Sequence, residues 1–312
     1  MLKSNPVKPQ PYISVVIPAY NEEKSIIKTL ESLKVQDYKG KVEIIVVDNN
    51  STDTTAKTAE KYGAKVIFEG TKGVASARQT GFMAAKGTII ASTDADTIHP
   101  TNWLSWIAQE FQKDDKRVMV SGMWDFYNGS PILKFFNWAF NYPLFIIFSW
   151  YSGANMAVKR SAFLKVGGFN TSLPLSEDSD LGVRLRKIGT VYRTNSFKVL
   201  VSARRFNQLG FWGGLWDYCY NYAKFKLHIQ KRHNVRFRSG SEIPQLGLLP
   251  KLAIQAIVII TVLGAFLGGA FEVKPVRAQV IRRERYLRHQ LAKIDVDMPN
   301  LPHVNSFHHV LH

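Results

Sequence analysis

Gly87-Thr-Ile-Ile-Ala-Ser-Thr-Asp94-Ala95-Asp96 is the stretch that decides the fold. Its apolar run has the length of one buried strand, and two carboxylates follow at the strand's mouth. In an open α/β sheet the ligand crevice lies beyond the carboxyl ends of the strands, and hard oxygen donors there suit Mg²⁺ or Mn²⁺ holding a diphosphate. A lone Asp-x-Asp also closes many ordinary strand-end turns, so the weight falls on what surrounds it.

Upstream, Ile13-Ser-Val-Val-Ile-Pro18 is a short apolar strand, followed by Ala19-Tyr20-Asn21-Glu22-Glu23 and a helix with Ile26, Ile27, Leu30 and Leu33 on one face. Val42-Glu-Ile-Ile-Val-Val47 is a second buried strand. It ends in Asp48-Asn49-Asn50-Ser51-Thr52-Asp53, where Ser51 is expected to cap the next helix and Asp53 to sit in its first turn. Lys65-Val-Ile-Phe68 reads as a third strand, and Gly73-Val-Ala-Ser-Ala-Arg78-Gln79-Thr-Gly81 opens a small-residue helix carrying a cation one turn in. Strands alternating with helices up to Asp94 predict a parallel sheet.

Four segments in this order, Ser14 to Glu22, Val46 to Asp53, Gly73 to Gly81 and Asp94 to Asp96, resemble the nucleotide-binding half of a family 2 glycosyltransferase with the GT-A fold. Downstream, Ser152-Gly153-Ala154-Asn155, Val166-Gly-Gly-Phe169 and Glu177-Asp178-Ser-Asp180-Leu181 resemble the acceptor half of that family. The resemblance covers residues 12 to 206. It implies an α/β GT-A fold whose mostly parallel sheet, flanked by helices, carries a Rossmann-like nucleotide-binding half.

The resemblance also implies roles. Asp96 is matched to a ligand of Mg²⁺ or Mn²⁺, and Asp94 to a ribose or metal-water contact. Asp48 accepts from the base or ribose of a UDP- or GDP-type nucleoside diphosphate sugar, with Asn50 and Ala95 beside it. Pro18, Ala19, Tyr20 and Glu22 form the nucleoside wall, unless they are a plain strand-to-helix turn. Arg78, Arg204 and Arg205 are candidates for the diphosphate, since guanidinium groups bind phosphate oxygens in pairs; Arg78 on a helix surface is the alternative. Gln79 stands where the family usually has Asn, which puts in doubt any contact needing the shorter amide. Gly153, Asn155 and Glu177 are matched to the acceptor side and Asp178 to the general base, with Asp180 capping the helix. One base and no second nucleophilic carboxylate imply inversion, and a Glu-Asp pair suits a hydroxyl acceptor, lipid-linked or glycan, because a phosphate acceptor arrives ionised.

Charge and apolar pattern address the rest of the chain. The formal net charge of +17 divides unevenly: residues 1–181 hold 20 Lys and Arg against 18 Asp and Glu, and residues 182–312 hold 21 against 6. Cations beside apolar sequence suit anionic membrane lipids better than a duplex, and no zinc-finger or RNA-binding motif supports nucleic acid. Leu252 to Phe271 is free of charge and as a helix would match a bilayer's hydrocarbon core, spanning it or re-entering at Gly264, Gly268 and Gly269. A buried soluble helix is the alternative. Phe211 to Tyr222, followed by Lys224 to Arg238, suits the headgroup layer. The expected organisation is a catalytic domain over 1–206, a membrane-interface region over 207–245, a transmembrane or re-entrant helix over 246–272 and a basic tail over 273–312.

Met1 to Pro11 is polar and proline-rich, so the catalytic domain is expected at the cytosolic face of the cytoplasmic membrane. One cysteine, Cys219, excludes an intramolecular disulfide framework. The apolar patch Phe135 to Phe148, broken by two Asn and a Pro, is read as core or as an interfacial helix. A dinucleotide oxidoreductase is disfavoured by the missing G-x-G-x-x-G, and a nucleotidyltransferase by the missing glycine-rich phosphate loop after the first strand. The remaining alternative is a membrane-bound sugar-nucleotide or lipid sensor with an inactive GT-A domain.

Overall fold

The computed structural model describes residues 9–138, 151–173, 176–209 and Gly213. The chain divides into a unit over Met1–Ile254 and a second over Gln255–His312, the latter wholly outside the described residues. The expected interfacial and membrane segments after residue 209 therefore also lie outside them, apart from Gly213, as does most of the Phe135–Phe148 patch. Among the described residues no helix is long and apolar enough to cross a membrane.

The elements in chain order are β1 (Ile13–Ala19), α1 (Ile26–Lys34), β2 (Val42–Asp48), α2 (Thr55–Lys61), β3 (Lys65–Phe68), α3 (Val74–Ala84), β4 (Ile89–Ser92) and β5 (Thr97–Ile98). They continue as α4 (Trp103–Lys113), β6 (Arg117–Phe126), α5 (Pro131–Phe136), β7 (Met156–Lys159), α6 (Arg160–Lys165), α7 (Glu177–Leu185) and β8 (Thr190–Val201). All eight strands join one sheet in the order β3-β2-β1-β4-β7-β6-β8-β5.

The first four strands in that order are parallel, as their βαβ spacing predicts. Beyond β4 the sheet is mixed, which corrects the expectation of a mostly parallel one: β7 runs antiparallel to β4 and β6, and β5 antiparallel to β8. The register Ser92↔Met156 gives the physical reason. The chain enters β7 at the edge where β4 ends, so Ser152–Asn155 is delivered beside Asp94 before the strand descends.

Both faces of the sheet are covered, which is why its strands read as continuous apolar runs. Ile13, Val15 and Ile17 pack with Ile26, Leu30, Trp103 and Ile107 from α1 and α4 on one face. Val16, Ile45 and Val47 pack with Phe82, Phe163, Leu181 and Leu185 from α3, α6 and α7 on the other. Thus α3 and α7 share a face. Gly81 permits the approach of α3, because a Cβ there would press into Val16 and lie 2.8 Å from Val47 Cγ2.

Candidate functional site

The loops after β1 and β2 build one wall at the carboxyl edge. Ala19 pairs with Asp48 in register, and the two following loops interlock: the Asn21 N–H donates to Ser51 Oγ at 3.0 Å, while Asn21 Oδ1 accepts the Thr52 N–H at 2.8 Å. Asn21 and Asn50 have positive φ angles of 53° and 66°, the left-handed turn that asparagine tolerates well. Ser51, engaged by Asn21, does not cap α2. The N-cap residue is Thr54, and Asp53, just before it and outside the first turn, accepts the Thr55 N–H on its Oδ1 at 2.9 Å.

Asp48 is buried at this wall and accepts the Ser51 N–H at 3.3 Å. Tyr20 is buried too, with Lys72 Nζ 5.1 Å from its ring centroid. Lys72 escaped the sequence reading, and its only signal was a lone cation between Gly70 and Gly73. Pro18 is half-buried, while Ala19 and Ala95 turn their methyls into the core, so what those two alanines offer a ligand is backbone alone.

Glu22 is no simple pocket wall. Its carboxylate is buried and clasped by Arg204, Nη1 to Oε2 at 2.5 Å and Nη2 to Oε1. The same guanidinium reaches Ser25 Oγ at 3.1 Å and Asp96 Oδ2 at 3.3 Å. Burial pushes the Asp96 carboxyl up to about 7, opposed by Arg204 and Arg205 and reinforced by Glu22 and Asp94. Glu22 and Asp94 add their negative charge to the effect of burial, and a cation added beside Asp96 would offset it.

Among the described residues no group of three or more His, Cys, Asp or Glu side chains could hold a metal by itself. Two carboxylates at the strand end, Asp94 and Asp96, suit Mg²⁺ or Mn²⁺ in the form such ions take beside nucleotides, where one or two carboxylates act with phosphate oxygens and water. Asp96 and Asp94 would hold it.

The turn carrying Asp94 and Asp96 is pinned from beneath by His99, a second residue the sequence reading missed. Its Nδ1 meets Ser32 Oγ at 2.9 Å and its Nε2 meets Thr93 Oγ1 at 2.8 Å. The Ser32 hydroxyl already donates to the Thr29 carbonyl, so His99 Nδ1–H is the donor and Nε2 accepts from Thr93. Burial lowers His99 to about 3, which keeps it neutral.

The acceptor side meets this edge through Arg78, which is neither a surface cation nor free for phosphate. It is only 4% exposed, its Nη2 donating to Asp94 Oδ1 at 2.5 Å and its Nη1 to Glu177 Oε1. Burial alone would lower the arginine, but Glu177, Asp94 and Asp178 raise it beyond its ordinary value. Asp178 is the second residue of α7; its Oδ2 accepts the Gly153 N–H at 2.8 Å and its Oδ1 the Ser179 N–H at 2.6 Å. Burial and then Glu177 push Asp178 up to about 7, against the lowering by Arg78 and those two N–H groups. A carboxyl there is poised to exchange a proton near neutrality.

Two acceptor-side expectations are corrected. Asn155 is 1% exposed and committed within the protein, its Oδ1 accepting Trp103 Nε1–H at 2.9 Å and its Nδ2 donating to the Met123 carbonyl at 2.8 Å. Glu177 is buried and held by Arg78, so neither side chain is presented to an acceptor. Asp180 pairs with Arg184 one turn on, at 2.7 Å, and does not cap the helix. Gln79 is engaged within the fold, where its Oε1 accepts the Phe169 N–H at 2.8 Å and so ties α3 to the Gly167-Gly168 turn.

Comparison with known proteins bears on this arrangement. A family model described as Glycosyl transferase family 2 matches residues 14–169. Probable glycosyltransferase YdaM of Bacillus subtilis is 30% identical over 209 residues, 59% of this chain and 48% of that protein, so the chain spans about half the length of this relative. Uncharacterized glycosyltransferase RP339 of Rickettsia prowazekii is 26% identical over 228 residues, 66% of this chain and 71% of that one. Among solved structures, S. aureus TarS 1-349 in complex with UDP-GlcNAc is similar with a TM-score of 0.52 at 21% identity, covering 61% of this chain and 58% of that one. The mannosyltransferase PcManGT from Pyrobaculum calidifontis, in complex with GDP-Man and Mn²⁺, gives 0.52 at 18% identity over 93% and 89%. At these identities the likeness is one of fold, a mixed α/β sheet of the GT-A kind.

Proposed function

This chain belongs to glycosyl transferase family 2, and from that premise we propose that it moves a sugar from a UDP- or GDP-type nucleoside diphosphate sugar to an acceptor hydroxyl with inversion. The observation that carries the reading is the meeting of two carboxylate sets, Asp94 and Asp96 after β4 with Glu177 and Asp178 at the start of α7, through one arginine. Asp48, Asn50 and Tyr20 border the nucleoside; Arg205, and Arg204 if it leaves Glu22, meet the diphosphate. A divalent cation at Asp96 and Asp94 would offset the charge that grows on the leaving diphosphate. Asp178 takes the acceptor's proton as its oxygen bonds to the anomeric carbon and the bond to the diphosphate breaks.

The acceptor we propose is a lipid-linked or glycan hydroxyl at the cytosolic face of the membrane. Support comes from the cationic carboxyl-terminal sequence and from Phe135 and Trp138, which stand exposed at the start of the aromatic patch. Calorimetry of UDP and GDP with Mn²⁺ tests the donor assignment. Asp96→Ala abolishes the Mn²⁺-dependent part of binding while circular dichroism stays that of the parent; unchanged nucleotide affinity would contradict it.

A further inference from the structure

Arg78 is held at both ends of its fork and nowhere else: Asp94 takes Nη2, Glu177 takes Nη1, and Nε has no partner among the described residues. Its guanidinium lies against Gly153, where a Cβ would collide with it. Gly153 also donates its N–H to Asp178 Oδ2 at 2.8 Å. One residue therefore leaves space for the cation and orients the neighbouring carboxylate.

We propose that Arg78 is a positioning residue that divides the roles of the two adjacent acids: by engaging Glu177 it leaves Asp178 alone to receive the acceptor's proton, and by holding Asp94 it ties that base to the donor edge. The inference rests on Asp178 being the base.

The choice of arginine follows from its geometry. A rigid planar fork reaches carboxylates on two elements at once, which the single ammonium of lysine does not. Among the described residues the charged groups facing Asp178 are Glu177 on its own helix and Arg78 from α3, with Asp94 behind Arg78. Without the cation, the charge of Glu177 beside Asp178 is no longer offset, so the proton Asp178 must accept is already partly in place.

The test uses the full chain as parent, Arg78→Met, Arg78→Lys and Gly153→Ala. The last keeps the arginine but fills its space, and Gly153 has no positive φ that alanine would strain. With aspartate carboxyl carbons labelled with ¹³C, the Asp178 resonance, identified by its loss in Asp178→Asn, titrates near pH 7 in the parent. It moves at least one pH unit higher in Arg78→Met and Gly153→Ala, with Arg78→Lys between. UDP and GDP binding with Mn²⁺ stays within about threefold, while nucleotide release from UDP-GlcNAc or GDP-mannose into water falls at least tenfold at pH 7 and recovers towards pH 9. An Asp178 titration that does not move overturns the proposal, and so does a parallel loss of nucleotide affinity, which would make Arg78 a diphosphate ligand. A parent that releases nucleotide from neither donor counts against the proposed function, yet leaves the carboxyl titration to decide the role of Arg78.

Discussion

Arg204 and Glu22, 182 positions apart in sequence, form a two-pronged ion pair that closes the carboxyl-terminal end of the described domain onto the first strand-to-helix loop. Glu22 is buried, whereas the Arg204 side chain is 31% exposed, so the interaction is asymmetric: losing the arginine strands a buried carboxylate. Arg204→Ala therefore costs about 1–3 kcal/mol, the penalty of an unsatisfied buried group, and Arg204→Ala with Glu22→Ala costs less than the two single changes added. Urea denaturation of the four proteins checks this. Strict additivity would show that the pair contributes no coupling.

His99 makes a pH prediction. Its value is lowered from the usual 6.5 to about 3 by burial, so the unfolded chain binds a proton that the folded one refuses. Its neutral-state stability is complete above pH 6.5 and is lost as pH falls from there towards 3, at no more than about 1.4 kcal/mol per pH unit. In denaturation curves at successive pH values, His99→Asn is less stable than the parent at pH 7.5, and the gap narrows below pH 6. A gap independent of pH would mean that His99 does not titrate between the two states.

Asp178 has the opposite sign. An acid raised from 3.8 to about 7 keeps its proton when folded, so the folded state loses stability as pH climbs from 3.8 to 7. Asp178→Asn, which imitates the protonated form, is more stable than the parent above pH 7 and loses that advantage below pH 4. Thermal unfolding at pH 8 and pH 4 measures it. A variant less stable than its parent at pH 8 would show the carboxylate to be stabilising.

Asn155 was expected at the acceptor and is instead a strut between α4 and the sheet. Asn155→Ala leaves the Trp103 indole N–H and two backbone carbonyls without their partner, and destabilises the fold by about 2–4 kcal/mol. Nucleotide affinity of the folded fraction is unchanged. Tight nucleotide loss without destabilisation would return Asn155 to the site.

The parallel half of the sheet was legible because each of its strands is an apolar run bounded by polar turns, and the carboxylates at Asp48, Asp94 and Asp96 fall where such runs stop. The antiparallel entry of β7 was not, since nothing in Met156–Lys159 records strand direction. Side-chain pairings across long separations were equally silent: Arg78 reads alike whether it faces solvent, phosphate or Glu177. Ser51 misled because serine is a good cap, while here its hydroxyl is taken by the interlock with Asn21 and the N-cap position falls to Thr54. His99 looked like any histidine, because its burial depends on Ser32 and Thr93 from two other elements.

Nucleotide release by Asp178→Asn, measured beside its Mn²⁺-dependent binding of UDP and GDP, tests the central claim most directly. With Asp178 as the base, donor-nucleotide binding stays within a few-fold of the parent, while release from UDP-GlcNAc or GDP-mannose falls by about 10²–10⁴. Turnover near that of the parent, or a loss of binding as large as the loss of turnover, would contradict the account.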